Sequence, residues 1–147
     1  MKLALLALAL AATPALADPS PACKAEGTPL FVIDHQSMTK QPTSIATAYP
    51  TGAWTFAAKD GAGKPTAAKR GCLDKAVLAK LAQLIADAPW TTTTKRINCK
   101  IAATTWTVDS ANGKEVFQER ACGKQLLDDK SAKALEGIHA ILDPLGT

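Results

Sequence analysis

Two stretches, WTFAAKDGAGKPTAAKRGC at residues 54–72 and WTVDSANGKEVFQERAC at residues 106–122, decide how this chain folds. Each opens on Trp-Thr followed by Phe56 or Val108, passes a turn dipeptide, Asp60-Gly61 or Asn112-Gly113, resumes at Gly-Lys and ends on a cysteine. Aromatic and β-branched residues suit a pleated strand, and D-G and N-G supply the positive φ angles of tight hairpins. The likeness extends outward. Ile45 and Ile97 begin the runs that lead into the two tryptophans, and after a four-residue insertion in the second copy Leu73-Asp74 answers Leu127-Asp128. Leu81 and Leu84 then answer Leu135 and Ile138. Matches in one shared order predict a duplicated hairpin–helix unit, residues 45–88 and 97–142.

The helices are read from spacing. Leu73, Val77, Leu81, Leu84 and Ala88 recur three and four apart, which predicts a helix over 73–88 stopped by Pro89. Asp128 is the expected cap of a second helix whose stripe is Leu135, Ile138 and Leu142 and which Pro144 ends. The second hairpin is expected near 97–108 and 114–121. In the first, Pro65 and small residues make the return segment an edge strand or a plain loop. With Leu30-Phe31-Val32-Ile33 as a buried strand ahead of both units, the order β-β-β-α-β-β-α predicts an α+β fold, a mostly antiparallel sheet with two helices packed on one face.

The N-terminus carries Met1-Lys2, an uninterrupted apolar run from Leu3 to Ala12, and Ala15-Leu16-Ala17 as a small-x-small cleavage site. That is the pattern of an export signal over 1–17, too short before Pro14 to cross a bilayer, which takes about 20 residues. A single secreted or periplasmic domain over 18–147 is expected, with no membrane span after cleavage. Loss of Lys2 leaves 16 basic residues against 13 acidic ones, a net charge of +3. This is too mild and too scattered for nucleic-acid binding.

In an oxidising compartment Cys23, Cys72, Cys99 and Cys122 read as two disulfides, each stabilising the fold by roughly 3 to 4 kcal/mol. Cys72 and Cys122 occupy equivalent places, but Thr47 stands where Cys99 would have its counterpart. The favoured pairing is therefore Cys23 with Cys72 and Cys99 with Cys122, among the three that sequence permits. With no C-x-x-C pair and only His35 and His139 as imidazoles, neither a metal site nor a cofactor is expected.

Catalytic patterns fail on geometry. Gly61-Ala62-Gly63-Lys64-Pro65-Thr66 lacks the earlier glycine and the hydroxyl residue after lysine that a phosphate loop requires. Asp34, His35 and Ser37 share one expected strand, whose neighbouring side chains point to opposite faces. His139 lies beside an apolar stripe as a packing residue, and Asp128-Asp129 suits a helix start rather than acid–base work. The expected function is a non-enzymatic protein- or ligand-binding module. Lys69, Arg70 and Trp90 are the candidate contact residues, Trp90 alternatively covering the C-terminus of the first helix, with Trp54 and Trp106 expected in the core. A protease inhibitor is the alternative, with Lys69-Arg70 beside Cys72 and Lys95-Arg96 near Cys99 as bait for a trypsin-like pocket. A small secreted hydrolase using His35 is the third reading.

Overall fold

The computed structural model describes residues 23–37, 40–92, 103–110, 113–120 and 123–146. The expected export leader, the expected Cys99–Cys122 pairing, Lys95-Arg96 and the expected strand residues 97–102 lie outside them.

The chain forms β1 (Phe31–Gln36), β2 (Thr43–Ala48), β3 (Ala53–Lys59), β4 (Pro65–Cys72), α1 (Lys75–Asp87), β5 (Ala103–Ser110), β6 (Gly113–Arg120), β7 (Gly123–Lys124) and α2 (Asp129–Gly146). The α+β class therefore holds. The strands form one antiparallel sheet in the order β4-β3-β2-β1-β5-β6-β7, six of them six residues or longer and β7 only two. β1 joins the halves at the centre, pairing with β2 on one side and β5 on the other.

Register assigns the two faces. Phe31 lies opposite both Ala48 and Val108, Ile33 opposite Ala46 and Trp106, and Trp106 opposite Phe117. Opposed residues share a face of the pleat, and on this one Leu81 and Ile85 of α1 and Leu135, Ile138 and Leu142 of α2 complete the buried core. A Cβ at Gly137 would stand 2.9 Å from Leu84, so a glycine there lets α2 approach α1 closely. On the other face Val32, Thr47, Thr55 and Thr107 form a lateral row, with Asp34 and Thr105 in the next.

The return segment of the first hairpin, left open between edge strand and loop, is an edge strand. Backbone pairing with β3 holds it despite side chains of low strand propensity, with a register shift at Ala58/Lys59. Pro144 does not end the last helix, which runs on to Gly146. A proline's φ is helical, and this close to the C-terminus its missing amide costs a single hydrogen bond. Asp128 caps α2 as expected, its Oδ1 accepting from Lys130 N and Ser131 N at 3.0 Å each. Of the two matched tryptophans, Trp106 is buried and Trp54 only half-buried over Gly71.

Cys23 and Cys72 form a disulfide, as favoured from the sequence. It pins the N-terminal arm to the end of β4, where Thr51 Oγ1 also donates to Lys24 O at 2.6 Å.

Candidate functional site

Trp90, a candidate contact residue by sequence, is a core residue, with only 2% of its surface exposed. Proline at 89 forces Ala88 out of helical geometry, and Trp90 then turns the chain at φ +53, a conformation costing a bulky residue about 1 to 2 kcal/mol. Several contacts hold it there. Its indole Nε1 donates to Ile85 O, a carbonyl in the last turn of α1, and its backbone N donates to Ser131 Oγ, both at 2.8 Å. Its ring stacks on Phe117 at 5.9 Å, and Phe117 stacks on Trp106 at 5.3 Å. Burial withdraws Trp90 from any contact surface.

Lys69 and Arg70 lie mid-strand in β4, and the pleat separates them. Lys69, opposite Phe56, faces the helices, and its Nζ donates to Gly146 O at 3.3 Å, satisfying a carbonyl at the negative end of α2. Arg70, opposite Thr55, stands exposed on the face without helices. The backbone adds a second feature. Leu73 N donates to Gly52 O at 2.8 Å, so by alternation the amides of Gly71 and Lys69 face β3 while those of Arg70 and Ala68 point outward from the sheet. Six of the eight residues of β4 are exposed. Pro65 blunts one end of this edge and the disulfide closes the other, leaving an open length between them. Around it the hairpin 53–72 carries Lys59, Lys64, Lys69 and Arg70 against one carboxylate, Asp60.

His35 does not assemble a triad. Its Nδ1 lies 3.0 Å from Thr104 Oγ1 on the helix face, whereas Asp34, on the opposite face, accepts from Gln36 Nε2 at 2.7 Å. Ser37 lies just beyond the end of β1. His139 is engaged at both ring nitrogens: Nδ1 meets Asp143 at 2.9 Å, and Nε2 accepts from the Trp106 indole N–H at 3.1 Å. A ring that accepts at Nε2 and donates at Nδ1 is the neutral tautomer, with no lone pair left to take a substrate proton.

Sequence reading did not find the cleft beside His139. About 640 Å³ in volume, it lies between α2 and β6, with Trp106, Leu127 and Leu135 as apolar walls and Glu119, Glu136 and His139 as polar ones. These residues come from β5, β6, the segment after β7 and α2, so no local motif announces them. The available signal was the helical spacing of Glu136, His139 and Asp143, which places them on neighbouring turns of one side of α2.

Asp128 is the one described group whose titration is resolved as strongly displaced. Burial pushes its carboxyl up, but hydrogen bonds from Ser131 Oγ at 2.5 Å, Ser131 N and Thr91 outweigh this and hold it at about 2. It acts as a structural tie between α2 and the segment that carries Trp90. Among the described residues no group of His, Cys, Asp and Glu is placed to hold a metal, and no helix is long and apolar enough to cross a membrane. Compared with known proteins, the chain matches no family model, no curated protein and no solved structure.

Proposed function

We propose that this is an exported, disulfide-pinned binding module that works without covalent chemistry, and that its contact strand is the outer edge of β4. The observation that carries this reading is the exposed length between Pro65 and Cys72, with outward amides at Ala68 and Arg70 in a basic hairpin. An extended acidic segment of a partner protein suits it: main-chain bonds to the edge give affinity, and the basic side chains select charge. The export leader and the Cys23–Cys72 bond support a secreted or periplasmic setting. The same reading retains the duplication of the hairpin–helix unit and the Cys99–Cys122 bond, which mass mapping of peptides from the oxidised chain tests directly.

The experiment is a titration of the ¹⁵N-labelled mature chain with two extended octapeptides, one alternating Glu with Thr and the other Lys with Thr. The acidic peptide is expected to shift the amides of Ala68 and Arg70, and Arg70→Ala to weaken it about fivefold, the scale of one partly solvated charge contact. Equal binding of both peptides, or shifts centred elsewhere, would overturn the edge-strand reading.

One observation favours a second reading. Arg70 projects from an extended, exposed segment two residues from a disulfide, which fits the specificity pocket of a trypsin-like protease. Tight inhibition of such a protease, lost in Arg70→Ala, would convert the module into an inhibitor.

A further inference from the structure

We infer that the cleft between α2 and β6 is a binding site for a small organic cation with an apolar body. At about 640 Å³ it falls within the range that small-molecule sites occupy, and Trp106, Leu127 and Leu135 give it an apolar lining. Leu126 stands at its mouth with 54% of its surface exposed, where a solvated polar side chain would cost less. The polar groups select the charge. Glu136 projects from α2, and neither lysine nor arginine is among the described residues that line the cleft. Its imidazole, His139, has both nitrogens engaged by Trp106 and Asp143 in the neutral tautomer and so adds no positive charge. A ligand that lays a ring or short chain against the leucines and directs an ammonium group at Glu136 satisfies both parts of the lining. A carboxylate of the same size would set like charges side by side at the cleft.

The site stands apart from the β4 edge, and the two readings fail separately, because one spectrum reports both sets of residues. The probes are phenethylammonium and its near-isostere 3-phenylpropionate, each titrated into the ¹⁵N-labelled mature chain. The cation is expected to give saturable shifts at the Trp106 indole N–H and at the amides of Leu135 and Glu136, and to bind about tenfold tighter than the anion. Glu136→Gln is expected to remove most of that tenfold preference, and Leu126→Arg, which places a fixed cation at the mouth, to abolish binding. Both positions are exposed, so unchanged spectral dispersion shows that the variants fold. Equal affinity for the two probes, no saturable shift with either, or indifference to Glu136→Gln would each overturn the inference.

Discussion

The two hairpin–helix halves share a few matched residues in one order and build different things. Both tryptophans face the helices. Trp54 lies opposite Gly71, however, whereas Trp106 lies opposite Phe117. The difference begins in the turns. In the first hairpin Asp60 Oδ1 gathers the amides of Ala62 and Lys64 in a wide loop, after which the register shifts at Ala58/Lys59. In the second, Ser110 pairs directly with Gly113. Turn length therefore sets which return-strand residue meets each tryptophan. The first half pairs its tryptophan with a glycine and leaves its outer strand bare. In the second, an aromatic column runs Trp90–Phe117–Trp106, Trp106 bonds to His139, and β7 pairs with the last two residues of β6. Both helices reach the core, but the buried aromatic rings of the hairpins lie in the second.

The largest expected effect tests that asymmetry directly. Trp106→Ala leaves a cavity beneath α2 and removes the donor to His139, and is expected to cost about 3 to 5 kcal/mol in chemical denaturation. Trp54→Ala, at a half-buried position over a glycine, is expected to cost less than half as much. Equal losses would mean that the halves share the core evenly and that the column is not its centre.

Next in size is the disulfide, which belongs to the bare half. It closes a separation of 49 residues between Cys23 and Cys72, and the Cys23→Ser/Cys72→Ser pair is expected to lose about 3 to 4 kcal/mol through the freed unfolded chain. Hydrogen exchange sharpens the comparison. Protection is expected to fall first in β4 and the 23–30 arm, while Trp106 and Phe117 keep theirs until global unfolding. Uniform loss of protection would show that the sheet opens as one unit.

How much of this could be read beforehand depended on where the determining interactions lie. The helices were legible because burial selects a stripe with its own period: Leu81, Leu135, Ile138 and Leu142 are all buried as the spacing implied. The Cys23–Cys72 bond was legible because Thr47 stands where the expected first unit would need an internal partner for Cys72. β4 was left undecided because PTAAKRGC carries little strand propensity of its own and is held by the backbone of β3. Trp90 was left open between covering the end of the first helix and marking a contact surface because its burial, which realises the first, is shared by α1, α2, Phe31 and Phe117, which lie far apart in sequence. For the same reason the cleft at His139 left only the spacing along α2 as a trace. Lys69-Arg70 could be read as a basic pair, but its division between two faces follows from strand pairing that the sequence left open.

The smallest expected effect compares the starts of the two helices, where the sequence shows the same Leu-Asp pair. Asp74 makes no side-chain capping bond at α1, whereas Asp128 caps α2 and also accepts from Thr91 Oγ1 at 2.9 Å. Asp128→Ala is expected to cost about 1 kcal/mol near neutral pH, and Asp74→Ala only a few tenths. Acid tests the Asp128 cap directly. The Asp128 carboxyl sits at about 2 in the folded chain, below the usual value of about 3.9 in an unfolded one, so the folded state holds its proton less tightly. Its contribution is therefore complete above about pH 4, declines as pH falls toward 2 and is gone below that. Denaturation midpoints of wild type and Asp128→Ala should then converge across this window. A gap for Asp128→Ala that persists unchanged down to pH 2 would mean that the tie to Thr91 and Ser131 does not depend on the ionised carboxylate, and that the two helix starts differ in packing rather than in charge.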